Sequence, residues 1–218
     1  MSDPAPAPAR VQRILALVAA CLVAALGGAL AARHWLAAPA PPVTEAAAVY
    51  AAPRPLPPFE LVARDGARFD RGSFAGHYTF VFFGFTNCPY LCPTTLAELA
   101  QATRLLADLP AASRPAVVMV SVDPERDTPA LLARYVEHFD ARFVGVTGSD
   151  AALTTLATAV GAAYQRTPEA DGSYSVDHSA AVFLIDPESR LAAVFPTPQV
   201  ARTVAADYRR ILAARGRS

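Results

Sequence analysis

The sequence predicts an α/β domain, a mixed sheet layered by helices, preceded by one membrane-spanning helix. Two nearly unbroken apolar runs, Thr79–Phe85 and Ala116–Val122, have the composition of central strands buried on both faces. Amphipathic helical segments alternate with strands, and the last two strands are joined by a short turn, which mixes the strand directions. Apart from these, the 19 residues Ile14–Ala32 are apolar and uncharged.

At 218 residues and 53% hydrophobic, the chain can build one ordinary domain with a real core and some extra segments. Nineteen basic residues balance nineteen acidic ones, so no basic field exists to attract nucleic acid or acidic lipid. Every basic residue is Arg. Without Lys, Schiff-base chemistry and Lys-dependent phosphate loops are excluded.

Residues 1–13, rich in Pro and Ala, are expected to be a cytoplasmic tail. At about 1.5 Å per residue, a helix over 14–32 covers roughly 28 Å, near the thickness of a bilayer core. Arg10 and Arg13 precede it, while Arg33, His34 and Trp35 follow. That bias puts the N-terminus in the cytoplasm and Trp35 at the far interface. A cleaved signal peptide and a lipid-attachment box at Val18-Ala19-Ala20-Cys21 are rival readings; the apolar run continuing past Cys21 favours the span. Residues 33–58, with seven prolines, predict a semi-extended spacer, and the folded domain is expected over 59–214.

Within that domain, Phe59–Val62 and Ala67–Phe69 flank the turn pair Asp65-Gly66 and predict a hairpin. The strand Thr79–Phe85 leads to a helix whose Leu96, Leu99, Thr103, Leu106 and Leu109 step by three or four, with Pro93 in its first turn. After the strand Ala116–Val122, Asp127-Thr128-Pro129 supplies an N-cap and first-turn Pro for a helix carrying Leu131, Leu132, Tyr135, Val136 and Phe139. A short strand, Phe143–Val146, follows. Ser149-Asp150 caps a helix that ends near Val160 at Gly161. Ser179–Ile185 and Arg190–Phe195 form a hairpin turning at Asp186-Pro187, and a last helix runs from about Pro198 to Ala214.

Cys88-Pro89-Tyr90-Leu91-Cys92-Pro93 lies between a buried strand and a helix, the place where open α/β sheets bind ligands. The helix N-terminus is expected to lower one or both thiol pKa values. A disulfide closing so short a loop would contribute only roughly 2 kcal/mol, so a redox or metal role is favoured over a purely structural one. Two thiolates suit Cu(I), and an added imidazole makes a set that also holds Cu(II). Of the four His, His34 lies beside the membrane, His77 precedes the first core strand and His138 falls on an amphipathic helix. Only His178 is placed to face the cysteine loop, although a lone His near a strand often just hydrogen-bonds a neighbour. Asp123, at the end of the second core strand, is either a weak fourth ligand or outer partner of the site, or with Asp127 simply caps the next turn and helix. Asp177 invites the same two readings.

Three blocks, Phe83–Leu96 (FGFTNCPYLCPTTL), Ser121–Pro129 (SVDPERDTP) and Tyr174–Pro187 (YSVDHSAAVFLIDP), resemble in order and separation the Sco/SenC copper proteins associated with cytochrome c oxidase assembly. The resemblance spans most of Phe59–Tyr208. It implies a thioredoxin-like fold behind an N-terminal membrane anchor, copper held by Cys88, Cys92 and His178, and a contribution from Asp123. Tyr90 stands where the family commonly has Asp between the cysteines.

The function so implied is a metallochaperone that delivers one copper, Cu(I) or Cu(II), to the binuclear copper-site subunit of the oxidase. Other copper chaperones and a thioredoxin-like reductant are the further partners implied, and no bond-making catalysis is required. A Cys88–Cys92 disulfide would abolish the site, coupling loading to redox state. The alternative is a thiol-disulfide reductase that keeps the oxidase's copper-ligand cysteines reduced, with Cys88 attacking. The tail lacks the Arg-rich amphipathic pattern of a transit peptide, so a bacterial inner-membrane location with a periplasmic domain is expected.

Overall fold

The structure, a computed structural model, describes residues 9–36, 41–170 and 172–215. Most of the expected tail and residues 37–40 of the expected spacer lie outside these, as do the side chains of Arg33, His34 and Trp35. The chain divides into two units, one ending at Pro39 and one beginning at Ala40. The described residues of the first form the helix α1 (Ala9–Leu36). Its segment Arg10–Ala29 has a mean hydropathy of 1.9 and no buried residues, which makes it long and apolar enough to cross a membrane.

The second unit is built on a six-stranded sheet ordered β1 (Ala48–Pro55), β10 (Arg190–Phe195), β9 (Val182–Ile185), β4 (Thr79–Gly84), β5 (Ala116–Ser121) and β6 (Val144–Val146). Its centre comprises β4 (Thr79–Gly84) and β5 (Ala116–Ser121), paired in parallel, with Phe82 opposite Met119. All six β4 residues are buried, as the apolar run requires. The parallel part ends with β6 (Val144–Val146). On the other side, β9 (Val182–Ile185) pairs antiparallel with β4, and β10 (Arg190–Phe195) pairs antiparallel with β9, so the sheet is mixed as expected.

The helices between these strands form where their caps allow. The helix α2 (Leu91–Leu105) carries Pro93 in its first turn, where a missing N–H is harmless. The Thr128 hydroxyl caps α3 (Pro129–Glu137), and Ser149 caps α4 (Asp150–Val160), which ends at Gly161 with φ +81°. The last helix, α5 (Ala201–Arg215), packs beside α2. Phe82, Met119 and Gly145 lie side by side in register. A Cβ on Gly145 would meet Leu132 of α3, and one on Gly84 would meet Cys92 of α2, so α2 and α3 cover one face of the sheet. On that face, Tyr208 of α5 packs against Tyr78 edge-on and against Phe80, and its hydroxyl donates to the Ser113 carbonyl at 2.7 Å.

The spacer expected over 33–58 is corrected. Within it, β1 (Ala48–Pro55) is the edge strand of the main sheet, antiparallel to β10, with a register shift between Val49 and Arg54. An edge strand tolerates Pro53 and Pro55 because some of its N–H groups face away from the ladder. Pro-rich composition therefore does not separate such a strand from a linker. Leu56 is buried, and the N–H groups of Glu45, Ala46 and Ala47 all donate to the Asp207 carboxylate, at 2.8, 2.8 and 3.0 Å. The expected hairpin forms from β2 (Glu60–Val62) and β3 (Arg68–Asp70). A second, unexpected hairpin joins β7 (Tyr164–Pro168) to β8 (Tyr174–His178) as a separate two-stranded sheet.

Candidate metal centre

Cys88 lies in the loop after β4, and Cys92 is the second residue of α2. The Cys88 sulfur does the work of an N-cap side chain, accepting the Cys92 N–H at 3.3 Å, while the Tyr90 side chain makes no capping bond. Cys92 is fully buried beneath Gly84; any side chain there would bring a Cβ within 2.8 Å of the sulfur. Cys88 keeps 9% of its surface exposed and is the sulfur that a partner would meet first.

His178 enters from the last position of β8. Its Nδ1 lies 3.1 Å from the Ser179 carbonyl oxygen, which can only accept, so Nδ1 bears the proton and Nε2 keeps a lone pair. That nitrogen is 3.4 Å from the Cys92 sulfur. The edges of Phe82 and Phe85 border the imidazole at centroid distances of 5.8 Å. The donor atoms of Cys88, Cys92 and His178 all lie within 4.8 Å of one another. Bonds of about 2.3 Å to sulfur and about 2.0 Å to nitrogen would set such donors roughly 3.5 to 4 Å apart, so one metal ion fits with small adjustments.

Burial lowers the His178 pKa, which outweighs the opposing influence of the Ser179 carbonyl and Asp177 and keeps the ring neutral and ready to ligate. Burial pushes the Cys92 thiol up, reinforced by its hydrogen bond with Cys88. At Cys92 the direction is opposite to the lowering expected of one or both thiols at the helix N-terminus, because burial penalises the thiolate, which needs a cation beside it. Cys88 and Cys92 are both free thiols, as is the exposed Cys21 of α1.

Asp123 is outside the three-residue group. Its buried carboxylate accepts the Tyr174 hydroxyl at 2.6 Å and the Arg126 Nε–H. Asp127 serves the cysteine loop: it accepts the Thr86 N–H at 3.0 Å, the Thr86 hydroxyl at 2.5 Å and the Ser121 hydroxyl at 2.5 Å. Among the described residues His77 is not in the cluster, the His34 side chain lies outside those described, and His138 packs edge-on against Phe139 on the C-terminal side of α3.

Sequence reasoning missed the β7–β8 hairpin, although Asp171-Gly172 is a turn dipeptide and Gly172 has φ +83°. It also missed Gln199. That side chain accepts the Thr95 hydroxyl at 3.3 Å and donates to the Ala180 carbonyl at 2.9 Å, bracing the helix of Cys92 against the segment that follows His178. A single Gln in a loop carries no local signal of such a role.

The SCO1/SenC family model matches residues 49–213. The mitochondrial SCO1 homolog 1 of Arabidopsis thaliana is 37% identical over 131 residues, 60% of this chain and 39% of that protein. The mitochondrial SCO2 homolog of Bos taurus is 34% identical over 157 residues, 72% of this chain and 59% of that protein. The chain thus spans less than two thirds of these two relatives. Among solved structures, Arabidopsis thaliana ScoI with copper bound has a TM-score of 0.66 at 32% identity, covering 72% of this chain and 98% of that one. Bradyrhizobium japonicum ScoI with copper bound has a TM-score of 0.64 at 33% identity, covering 72% and 99%. The fold shared with them is the mixed α/β, thioredoxin-like one. With the match running from the edge strand at residue 49 into the last helix, the chain belongs to the SCO1/SenC family.

Proposed function

We propose that this protein binds one copper ion through Cys88 Sγ, Cys92 Sγ and His178 Nε2 and delivers it during assembly of cytochrome c oxidase. The observation that carries the reading is the convergence of two thiols and a neutral imidazole with its free lone pair turned towards them. Two soft thiolates favour Cu(I), and the imidazole extends the set to Cu(II). Loading displaces the thiol protons, and the metal charge compensates a thiolate at Cys92 that burial otherwise disfavours. Copper-bound relatives of the same fold support the choice of metal.

The apolar α1 is read as a single-pass anchor in a bacterial inner membrane, with the copper domain on the periplasmic side. The recipient is the copper-site subunit of the oxidase. Of the two sulfurs Cys88 is the more exposed and would exchange first, leaving fully buried Cys92 as the last thiolate.

Anaerobic copper titration of the reduced full chain in detergent, beside Cys88→Ala and His178→Ala, tests the assignment. One tightly bound copper, lost in both variants, is the expected result. Reduced thiols that bind no stable copper would sink it, and disulfide reduction surviving in His178→Ala would point to a thiol-disulfide reductase.

A further inference from the structure

The three candidate ligands stand on supports of different kinds. Cys88 and Cys92 follow β4 and open α2, so the central sheet holds them. His178 belongs to the β7–β8 hairpin, whose two strands pair only with each other. It is attached by packing, with Val176 in the hydrophobic core and Tyr164 and Tyr174 against it, and by polar contacts, several of them at Tyr174, the first residue of β8. The Tyr174 hydroxyl donates to Asp123 Oδ1 at 2.6 Å, and its carbonyl accepts from Arg126 Nη1 at 3.2 Å. The Arg126 guanidinium lies over the Tyr174 ring at 3.9 Å, and its Nε donates to the other oxygen of Asp123. Those three side chains close a ring of contacts between the hairpin and the loop after β5.

The ring also reaches the site. Arg126 lies 5.9 Å from the Phe85 ring, and Phe85 borders His178 at 5.8 Å. On β7, Arg166 donates to the Val122 carbonyl at 3.0 Å and to Asp150 at 2.8 Å, a second tether to the body of the domain. Tyr174 remains a donor over the whole physiological range, because burial and the bond to Asp123 push its phenol up to about 12.

We infer that Asp123, Arg126 and Tyr174 are positioning residues that clamp the β7–β8 hairpin and thereby set how firmly His178 engages a metal held by Cys88 and Cys92. The inference rests on the copper reading above and deepens it by making His178 the ligand whose hold is adjusted separately from the cysteines. Cu(I) is satisfied largely by the two thiolates, whereas Cu(II) depends on the imidazole. Loosening the clamp therefore weakens Cu(II) far more than Cu(I). Asp123 acts through Tyr174 and Arg126 and needs no bond to the metal.

The test uses the full chain in detergent with Tyr174→Phe, which removes the hydroxyl but keeps the ring beneath Arg126. Asp123→Asn serves as a second variant that keeps the side chain's shape. Release of Cu(II) to a chelator should quicken about tenfold in Tyr174→Phe, the gain expected when a hydrogen bond to a charged group is lost. The nitrogen splitting of the Cu(II) electron paramagnetic resonance spectrum should weaken, and Cu(I) affinity should stay within about threefold. Amide exchange at Ser175–His178 should rise in metal-free Tyr174→Phe while that of β4 does not.

Wild-type Cu(II) release in Tyr174→Phe, or faster release without any rise in amide exchange at Ser175–His178, would overturn the clamp. If the unaltered chain binds no copper, the copper reading fails, and the clamp survives as a hairpin latch only if amide exchange still rises.

Discussion

Asp127 holds Thr86 by two hydrogen bonds, accepting the backbone N–H at 3.0 Å and the hydroxyl at 2.5 Å, across 41 positions of sequence. Thr86 stands two residues before Cys88, so the loop after β5 fixes the loop that presents the first sulfur. Because Asp127 also accepts the buried Ser121 hydroxyl, Asp127→Ala strands three donors at once, one buried and two part-buried. Chemical denaturation should show a loss of about 3 kcal/mol, and copper affinity should fall at least about tenfold. A variant with unchanged stability would show that these contacts carry no net energy.

Gly84 is a glycine for space. A Cβ there would lie 2.8 Å from the Cys92 sulfur, 2.9 Å from the Phe82 ring and 3.2 Å from the Met119 methyl group. Gly84→Ala should cost about 1–3 kcal/mol, as overpacking does. It should also displace the sulfur, shifting the Cu(II)–thiolate absorption. An unshifted absorption spectrum would mean that the sheet yields instead of Cys92.

Asp207 gives the domain an acid-sensitive attachment. Burial would raise its carboxyl, but the N–H groups of Ala46, Glu45 and Ala47, together with Arg210, outweigh burial and hold it below the usual carboxylate range. A carboxyl whose folded pKa lies below its unfolded value of about 3.9 adds stability that is fully present above about pH 4. That stability is lost as pH falls through the folded value. Asp207→Asn should reduce stability at pH 7 by about 2 kcal/mol and flatten the loss between about pH 4 and 2, measured by urea unfolding across that range. An acid limb unchanged in the Asn variant would assign the loss to other carboxylates.

Removing residues 41–58 deletes β1, the buried Leu56 and all three backbone donors to Asp207. A chain beginning at Phe59 should unfold at markedly lower urea than one beginning at Glu45, by several kcal/mol, since burying one Leu alone contributes about 2 kcal/mol. Equal midpoints would return the segment to the role of a spacer.

Tyr90 leaves 80% of its surface exposed between the two cysteines. Tyr90→Asp should leave stability within about 0.5 kcal/mol and copper affinity within about twofold, as for most exposed sites. Copper transfer to the recipient proposed above, followed by stopped-flow mixing, is the measurement that should change.

By itself the sequence determined the parts whose signals are local. The unbroken apolar runs became β4 and β5 because strands covered on both faces exclude polar residues. Thr128 and Ser149 cap their helices because a hydroxyl before the first turn meets an unpaired N–H whatever surrounds it. The Cys88–Cys92 spacing marked the site, and the sequence resemblance singled out His178.

Tertiary structure alone decided what depends on contacts between distant segments. The prolines of β1 read as a spacer until β10 supplies a ladder on one side. The Cys92 thiol pKa is pushed up because burial, absent from a local reading of a helix N-terminus, penalises the thiolate. Asp123, which the sequence leaves open as weak ligand, outer partner or cap, has its oxygens engaged by Arg126 and Tyr174, and Tyr174 is 51 positions away. Local composition shows which groups can ionise, cap or coordinate, whereas burial and partners, which fix what each group does, arise only when remote segments pack together.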